Sequence, residues 1–248
     1  MNSTLLSILG LSFVGSVLGL IGGLALLFNI NFAKKFSILL ISFAAGGILA
    51  AAFLDLLPEA VARGGESVFT FALIGLVAFF LIEDFVLHFH HHEKHGHSLK
   101  SAVPLLLFSD SIHNFIDGIV IAASFLTDPK LGLVVAVATF LHEVPQEIGD
   151  FAVLLSVGFG KRNTLIAHLL TALTTFLGAI LTYFFFAHSQ NLMGPLLSLA
   201  TGMFLYIASA DILPELVHDS HRNLRWRIAG VFLFGVALIY FLTKFIPD

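Results

Sequence analysis

The stretch SDSIHNFIDGIVIAASF, residues 109–125, decides the fold. It lies in an apolar run, 101–126, long enough to cross the roughly 30 Å hydrocarbon core of a bilayer. Yet it carries Asp110, His113, Asn114 and Asp117. These positions follow an i, i+3, i+4, i+7 spacing, so a helix places all four side chains on one stripe. The next apolar run, 131–158, contains TFLHEVPQEIGDFAVLL (139–155) with His142, Glu143, Gln146, Glu147 and Asp150. There His142 and Gln146 stack one turn apart, as do Glu143 and Glu147. An ionisable side chain at bilayer depth costs at least roughly 2.5–3.5 kcal/mol. Neither run holds a Lys or Arg to balance its acids. The compensating cation must come from solution, as protons or metal.

Composition agrees with a membrane setting. Apolar residues make up 58% of the 248 and charged residues 11%, where a soluble domain carries about 25% charged. The mean hydropathy is +0.98. The expectation is an all-α polytopic membrane protein of one domain, 1–248, with no nucleic-acid partner. No cysteine is present, which excludes disulfides and thiolate metal sites. The first apolar run is too long, and lacks the basic start, for a cleavable signal peptide.

Eight apolar runs are long enough to span: about 4–27, 36–58, 67–88, 101–126, 131–158, 163–187, 194–216 and 226–246. Lys34, Lys35, Lys94, Lys100, Lys161, Arg162, Arg222, Arg225 and Arg227 fall between or beside spans on one side. Only Arg63, Lys130 and Lys244 fall on the other. The positive-inside rule then places the first set in the cytoplasm and both termini outside. The second span ends in AAFLDLLPEA (51–60) and the seventh in ASADILPEL (208–216), in opposite membrane directions. That pattern predicts an inverted 3+2+3 repeat, with spans four and five between the related triplets. The small-residue run AAGGILAAA (44–52) suits either a homodimer contact or packing within one subunit.

A His-rich loop, 88–100, follows the third span, with His88, His90, His91, His92, His95 and His97 as candidate metal-binding imidazoles. Pro145 interrupts the fifth span, removing one N–H and leaving the Leu141 carbonyl without its helical donor. His168 stands alone in the apolar sixth span and is a further candidate ligand. Asp55 and Glu59 at the end of span two, and Asp211, Glu215 and His218 at the end of span seven, are candidates for a pathway. Asp110, Glu147 and Asp150 are candidates for supporting groups or pathway. Imidazole with carboxylate and no sulfur suits zinc, ferrous iron and their neighbours. Such an ion is cargo rather than a cofactor.

At these residues a resemblance is specific. HNFIDG (113–118) followed by HEVPQEIGD (142–150) resembles the paired signatures of the ZIP family of zinc and iron transporters, closest to the subgroup with HNFxDG and HExPHExGD. The resemblance implies divalent-metal transport toward the cytoplasm, zinc foremost and also iron, manganese or cadmium, by alternating access in a plasma (inner) membrane. It implies one metal centre at His113, Asp117, His142 and residue 146, with Asn114 and Glu143 forming an adjacent one and His168 beside it. Gln146 departs from the subgroup, which has His there. An intramembrane zinc hydrolase is the alternative, since HEVPQ approaches HExxH, but Gln146 replaces the second ligand and the expectation is that the chain is not an enzyme. A passive metal channel is the other alternative.

Overall fold

A computed structural model of the chain describes residues 3–91, 103–186, 189–217 and 224–245. Of the His-rich loop candidates, His92, His95 and His97 lie outside the described residues, as do the side chains of His88, His90 and His91; the same holds for His218 and for the side chains of Asp211 and Glu215. Among the described residues all regular structure is helical: α1 (Ser3–Gly15), α2 (Ile21–Phe28), α3 (Ile30–Ala51), α4 (Leu57–Gly64), α5 (Val68–His91), α6 (Val103–Thr127), α7 (Pro129–Ser156), α8 (Lys161–Ala172), α9 (Thr174–Phe186), α10 (Gln190–Tyr206), α11 (Leu213–Leu216) and α12 (Arg225–Phe245).

Seven helical stretches among these residues are long and apolar enough to cross a membrane. Six match expected spans one by one. The seventh, Phe36–Ile82, contains both the second and the third expected spans. Inside it Gly65 adopts φ +62°, a conformation that favours glycine and ends the helix of α4 before α5 begins. The span expected over 163–187 is divided into α8 and α9 at Leu173. Apolar side chains also cover the outside: Leu73, Phe184, Phe185, Leu233 and Phe241 are all exposed. In water such a surface would aggregate; in lipid it is the expected solvent-facing side.

Two local irregularities occur at the repeated sequence. Ala52–Leu56 and Ile207–Ile212 are both π-helical turns, each running straight into a helix that begins Leu-Pro-Glu. Pro58 and Pro214 lack an N–H, and their rings crowd the carbonyls of Leu54 and Ala210. Widening the preceding turn relieves that clash without ending the helix.

The helices associate in two groups. α6 lies against α7, α8 and α9, and α7 against α1 and α2; separately, α3 lies on α12, and α10 on α5 and α4. The two groups are joined along α3 and α7, which pack on each other as closely as α6 and α7 do, and by contacts of α2 with α3, α12 with α7, and α10 and α5 with α6. Three glycine pairs make reciprocal close approaches. A Cβ on Gly46 would strike the carbonyl of Phe232, and one on Gly235 that of Phe43, across α3 and α12. Gly75 and Gly202 do the same against Leu199 and Ala72 between α5 and α10. Gly118 and Gly178 do so against Thr175 and Phe115 between α6 and α9. With no hydrophobic drive between helices in lipid, such backbone contact is what holds them. The run 44–52 is therefore spent within the subunit: Ala44, Ala45, Ala51 and Ala52 are fully buried and Gly46 is pressed on α12.

Candidate metal centre

The polar stripe of α6 faces the polar turn of α7, and four side chains converge there. His113 Nε2 lies 3.1 Å from His142 Nε2, and His142 Nε2 lies 3.2 Å from Asp117 Oδ2. His113 Nε2 is 3.6 Å from Asp117 Oδ2 and 3.5 Å from Glu143 Oε1, while His142 Nε2 is 3.8 Å from Glu143 Oε1. A tetrahedral zinc ion with bonds of about 2.0–2.1 Å would set its donors about 3.3–3.4 Å apart. The observed edges bracket that value.

The protonation geometry also fits. His142 Nδ1 is 3.2 Å from the carbonyl of Ala138 one turn back. A carbonyl only accepts, so a proton on Nδ1 satisfies this contact and leaves Nε2 able to present a lone pair to an ion. That is the usual arrangement of a metal-binding imidazole. Asp117 Oδ1 and both Glu143 carboxylate oxygens are buried without a hydrogen-bond partner. An ionised oxygen left so would be costly, and a cation removes the cost.

α1 and α2 are pressed onto this site by small residues. A Cβ on Gly19 would meet Cβ of Glu143, one on Gly22 the carbonyl of Val144, and one on Gly23 the ring of Phe151. α7 continues through Pro145. On the opposite side the second helix group supplies rings: Phe79 of α5 stands 5.7 Å from the His113 ring, and Phe204 of α10 stands 6.0 Å from that of His142. Among the described residues these four candidate ligands thus lie on α6 and α7 and are covered by aromatic side chains of α5 and α10.

A second cluster forms along the same helices. Asp110 of α6, Glu147 of α7 and His168 of α8 offer three ligand atoms within 4.8 Å of one another, all buried. Asn114 stands between the two clusters in sequence but is fully engaged in hydrogen bonds. Its Oδ1 accepts from Ser16 Oγ at 2.5 Å and Thr175 Oγ1 at 3.0 Å; its Nδ2 donates to Asp110 Oδ1 at 2.9 Å. The expected allotment therefore changes. Glu143 joins His113, Asp117 and His142 rather than Asn114. His168 joins Asp110 and Glu147, which sequence reading had placed in supporting roles. Gln146 is half-buried one turn past His142 and makes no hydrogen bond among the described residues. Asp150 is half-buried beyond it.

The pathway candidates Asp55 and Glu59 both have protein partners. Asp55 Oδ2 accepts from Thr243 Oγ1 at 3.0 Å. Glu59 pairs with Arg63, whose Nη2 also donates to the carbonyl of Thr127 at the end of α6. Sequence reading missed Ser16, Thr175, Phe79 and Phe204. Lone hydroxyls and aromatic rings in apolar spans look like ordinary packing, and only their neighbours distinguish them.

The family model described as "ZIP Zinc transporter" matches residues 90–243. The chain belongs to the ZIP family. It is 36% identical over 200 residues to zinc transporter ZIP13 of Pongo abelii, covering 73% of this chain and 58% of that protein. It is 35% identical over 144 residues to zinc transporter ZIP6 of Homo sapiens, covering 54% and 19%. With zinc transporter ZIP4 of Homo sapiens it shares 36% identity over 146 residues, covering 58% and 22%. The chain thus spans about a fifth of the length of two of these relatives and over half of the third. Membership in a transporter family, with seven apolar helical stretches of spanning length, makes this an integral, multi-pass membrane protein and not a hydrolase.

Proposed function

We propose that this chain moves divalent transition-metal ions, zinc foremost, across a membrane toward the cytoplasm by alternating access. The observation that carries the reading is the set of half-buried His113 with buried Asp117, His142 and Glu143, with donor separations of 3.1–3.8 Å. Relatives named as zinc transporters support zinc as cargo. Ferrous iron, manganese and cadmium share the preference for imidazole and carboxylate and belong to the same proposal.

Alternating access is favoured by the division of the helices. Every donor named above lies on α6, α7 or α8, within one packed group, and the site borders the other group at Phe79 and Phe204. Movement of the first group past the second would carry the ions along and exchange their cover of aromatic rings.

The proposed topology has eight spans. Phe36–Ile82 holds 47 residues, about 70 Å of helix and more than twice the hydrocarbon thickness. α3 and α5 lie on different neighbours, α12 and α10. The inverted repeat is supported by the paired π turns and by the glycines: Gly46 stands nine residues before Asp55, and Gly202 nine before Asp211. Each of these glycines meets a partner glycine's helix, α12 in one case and α5 in the other. Outside termini and a plasma (inner) membrane complete the proposal, on the strength of the Lys and Arg distribution.

The test is metal flux into proteoliposomes holding the wild type or His142→Ala, with zinc, ferrous iron, manganese and cadmium compared. Saturable entry lost in the variant supports the reading. Flux that rises linearly without saturation points to the channel, and no flux with retained metal binding overturns transport.

A further inference from the structure

We infer that Arg63 is a positioning residue for transport, a clasp between α4 and the turn that joins α6 to α7. The clasp holds the metal-bearing hairpin in the position seen here and opens when the hairpin moves. The inference rests on the proposed alternating access and identifies a contact which that movement must break.

The hairpin behaves as one body. A single residue, Asp128, joins α6 to α7. Its N–H donates to the carbonyl of Ser124 at 2.9 Å, and its side chain accepts from the Lys130 N–H at 2.7 Å. The turn is thus bonded to both helices. Just beyond it a Cβ on Gly132 would lie 2.6 Å from Cβ of Phe125, so the two helices are closed on each other from the turn onward. His113, Asp117, His142 and Glu143 all lie on these helices. Whatever holds the turn therefore holds the candidate ligands.

Arg63 reaches the turn from a separate anchor. It stands in the last turn of α4. The next residue is pressed on α10, where a Cβ on Gly194 would lie 2.9 Å from the Gly64 nitrogen. Glu59, one turn earlier, accepts from Arg63 Nε at 2.5 Å and aims the guanidinium. Nη2 then donates to the carbonyl of Thr127 at 3.0 Å. Thr127 ends α6, so its carbonyl belongs to those without a helical donor, at the negative end of the helix dipole. A guanidinium suits this place because different N–H groups serve the acid and the carbonyl at once. The other hydrogen bonds named above join helices of the same group: Asn114 to α1 and α9, and Asp55 to α12.

The clasp can open. The side chains of Arg63 and Glu59 are 30% and 32% exposed, so water replaces each bond as it breaks. A deeply buried ion pair would fix the hairpin, because parting it strands two charges. A contact at the rim biases the position and still permits movement. Thr127 is also ten residues past Asp117, about 15 Å along the helix. Arg63 thus acts on where the site stands and not on its ligands.

The chain has no cysteine. Glu66→Cys and Pro129→Cys, both at exposed positions, can therefore carry a pair of spin labels across the clasp. Pulsed electron resonance on the full chain in proteoliposomes reads the distance between them, with Arg63→Ala, Arg63→Lys and Glu59→Gln added in turn. One short distance should predominate with Arg63 in place. A longer-distance population should grow about threefold in Arg63→Ala and by less in Glu59→Gln. Arg63→Lys, which keeps a donor for the Thr127 carbonyl, should recover most of the short distance. Zinc affinity by calorimetry should stay within a factor of two in Arg63→Ala, while the maximal rate of zinc uptake changes at least twofold. Unchanged distances in Arg63→Ala overturn the clasp. A loss of zinc affinity beyond that factor shows a general support of the site and overturns the positioning role. An unchanged maximal rate beside a shifted distance also overturns it, since the clasp would then lie off the transport cycle. If Arg63→Ala does not fold, Glu59→Gln decides, and distances equal to those of the wild type overturn the clasp. The distances need no flux, so a shift in a chain that carries no metal sinks the transport reading and leaves the clasp standing.

Discussion

The Nε2 atoms of His113 and His142 face each other at 3.1 Å, although 29 residues separate them in the chain. His142 Nδ1 is turned toward the carbonyl of Ala138, which leaves Nε2 to face the cluster. Two imidazole nitrogens so close are mutually repulsive unless a proton or a metal ion lies between them. Asp117 and Glu143 beside them favour the ion of higher charge.

His113→Ala and His142→Ala should each abolish zinc uptake while the protein remains folded in the membrane. Loss even of a group that merely supports a metal ligand costs about 10–100-fold in affinity, so loss of a ligand should cost at least that. Radiometric zinc uptake into proteoliposomes, with chromatography in detergent as the folding check, measures it; near-normal flux in both variants would refute the site.

Gln146→His should raise zinc affinity. Residue 146 sits one turn after His142 on the same helix face, and Gln146 has no hydrogen bond to lose. A gain of about tenfold, roughly 1.4 kcal/mol, is expected by calorimetry in detergent. Unchanged affinity would place residue 146 away from the ion.

Gly178→Ala should destabilise the fold without touching a ligand. Its new Cβ would meet the carbonyl of Phe115, forcing α9 away from α6. Overpacking of this kind costs about 1–3 kcal/mol. The readout is thermal unfolding in detergent, where an unchanged midpoint would show that the helices part without cost.

Ser16→Ala combined with Thr175→Ala should weaken metal binding although neither residue is a ligand. Both hydroxyls donate to Asn114 Oδ1, and each lost hydrogen bond costs about 0.5–1.5 kcal/mol. Asn114, which shares a helix with His113 and Asp117, is then held less firmly, so zinc affinity measured by calorimetry in detergent should fall severalfold. Unchanged affinity would mean that Asn114 does not position these side chains.

The sequence by itself determined the class of the protein and the helices that bear its polar residues. Composition requires a lipid-facing exterior, and the helical period of 3.6 puts Asp110, His113, Asn114 and Asp117 on one stripe whatever the rest of the chain does. The Leu-Pro-Glu repeats were legible too, but not the π turns before them, because a proline permits several ways of relieving its clash. The partition of the polar residues into two clusters was decided only by the tertiary structure. Spacing along one helix says which side chains share a face; it does not say which of them a facing helix will meet. The rotation of α7 against α6 sends Glu143 to His113 and Glu147 to Asp110, and the position of α8 sends His168 to the second pair. That rotation is fixed by distant contacts: Gly118 against Thr175, Gly19 against Glu143 and Gly22 against Val144. Close packing at glycines far apart in sequence therefore decides which polar side chains meet, and no local pattern in the chain encodes it.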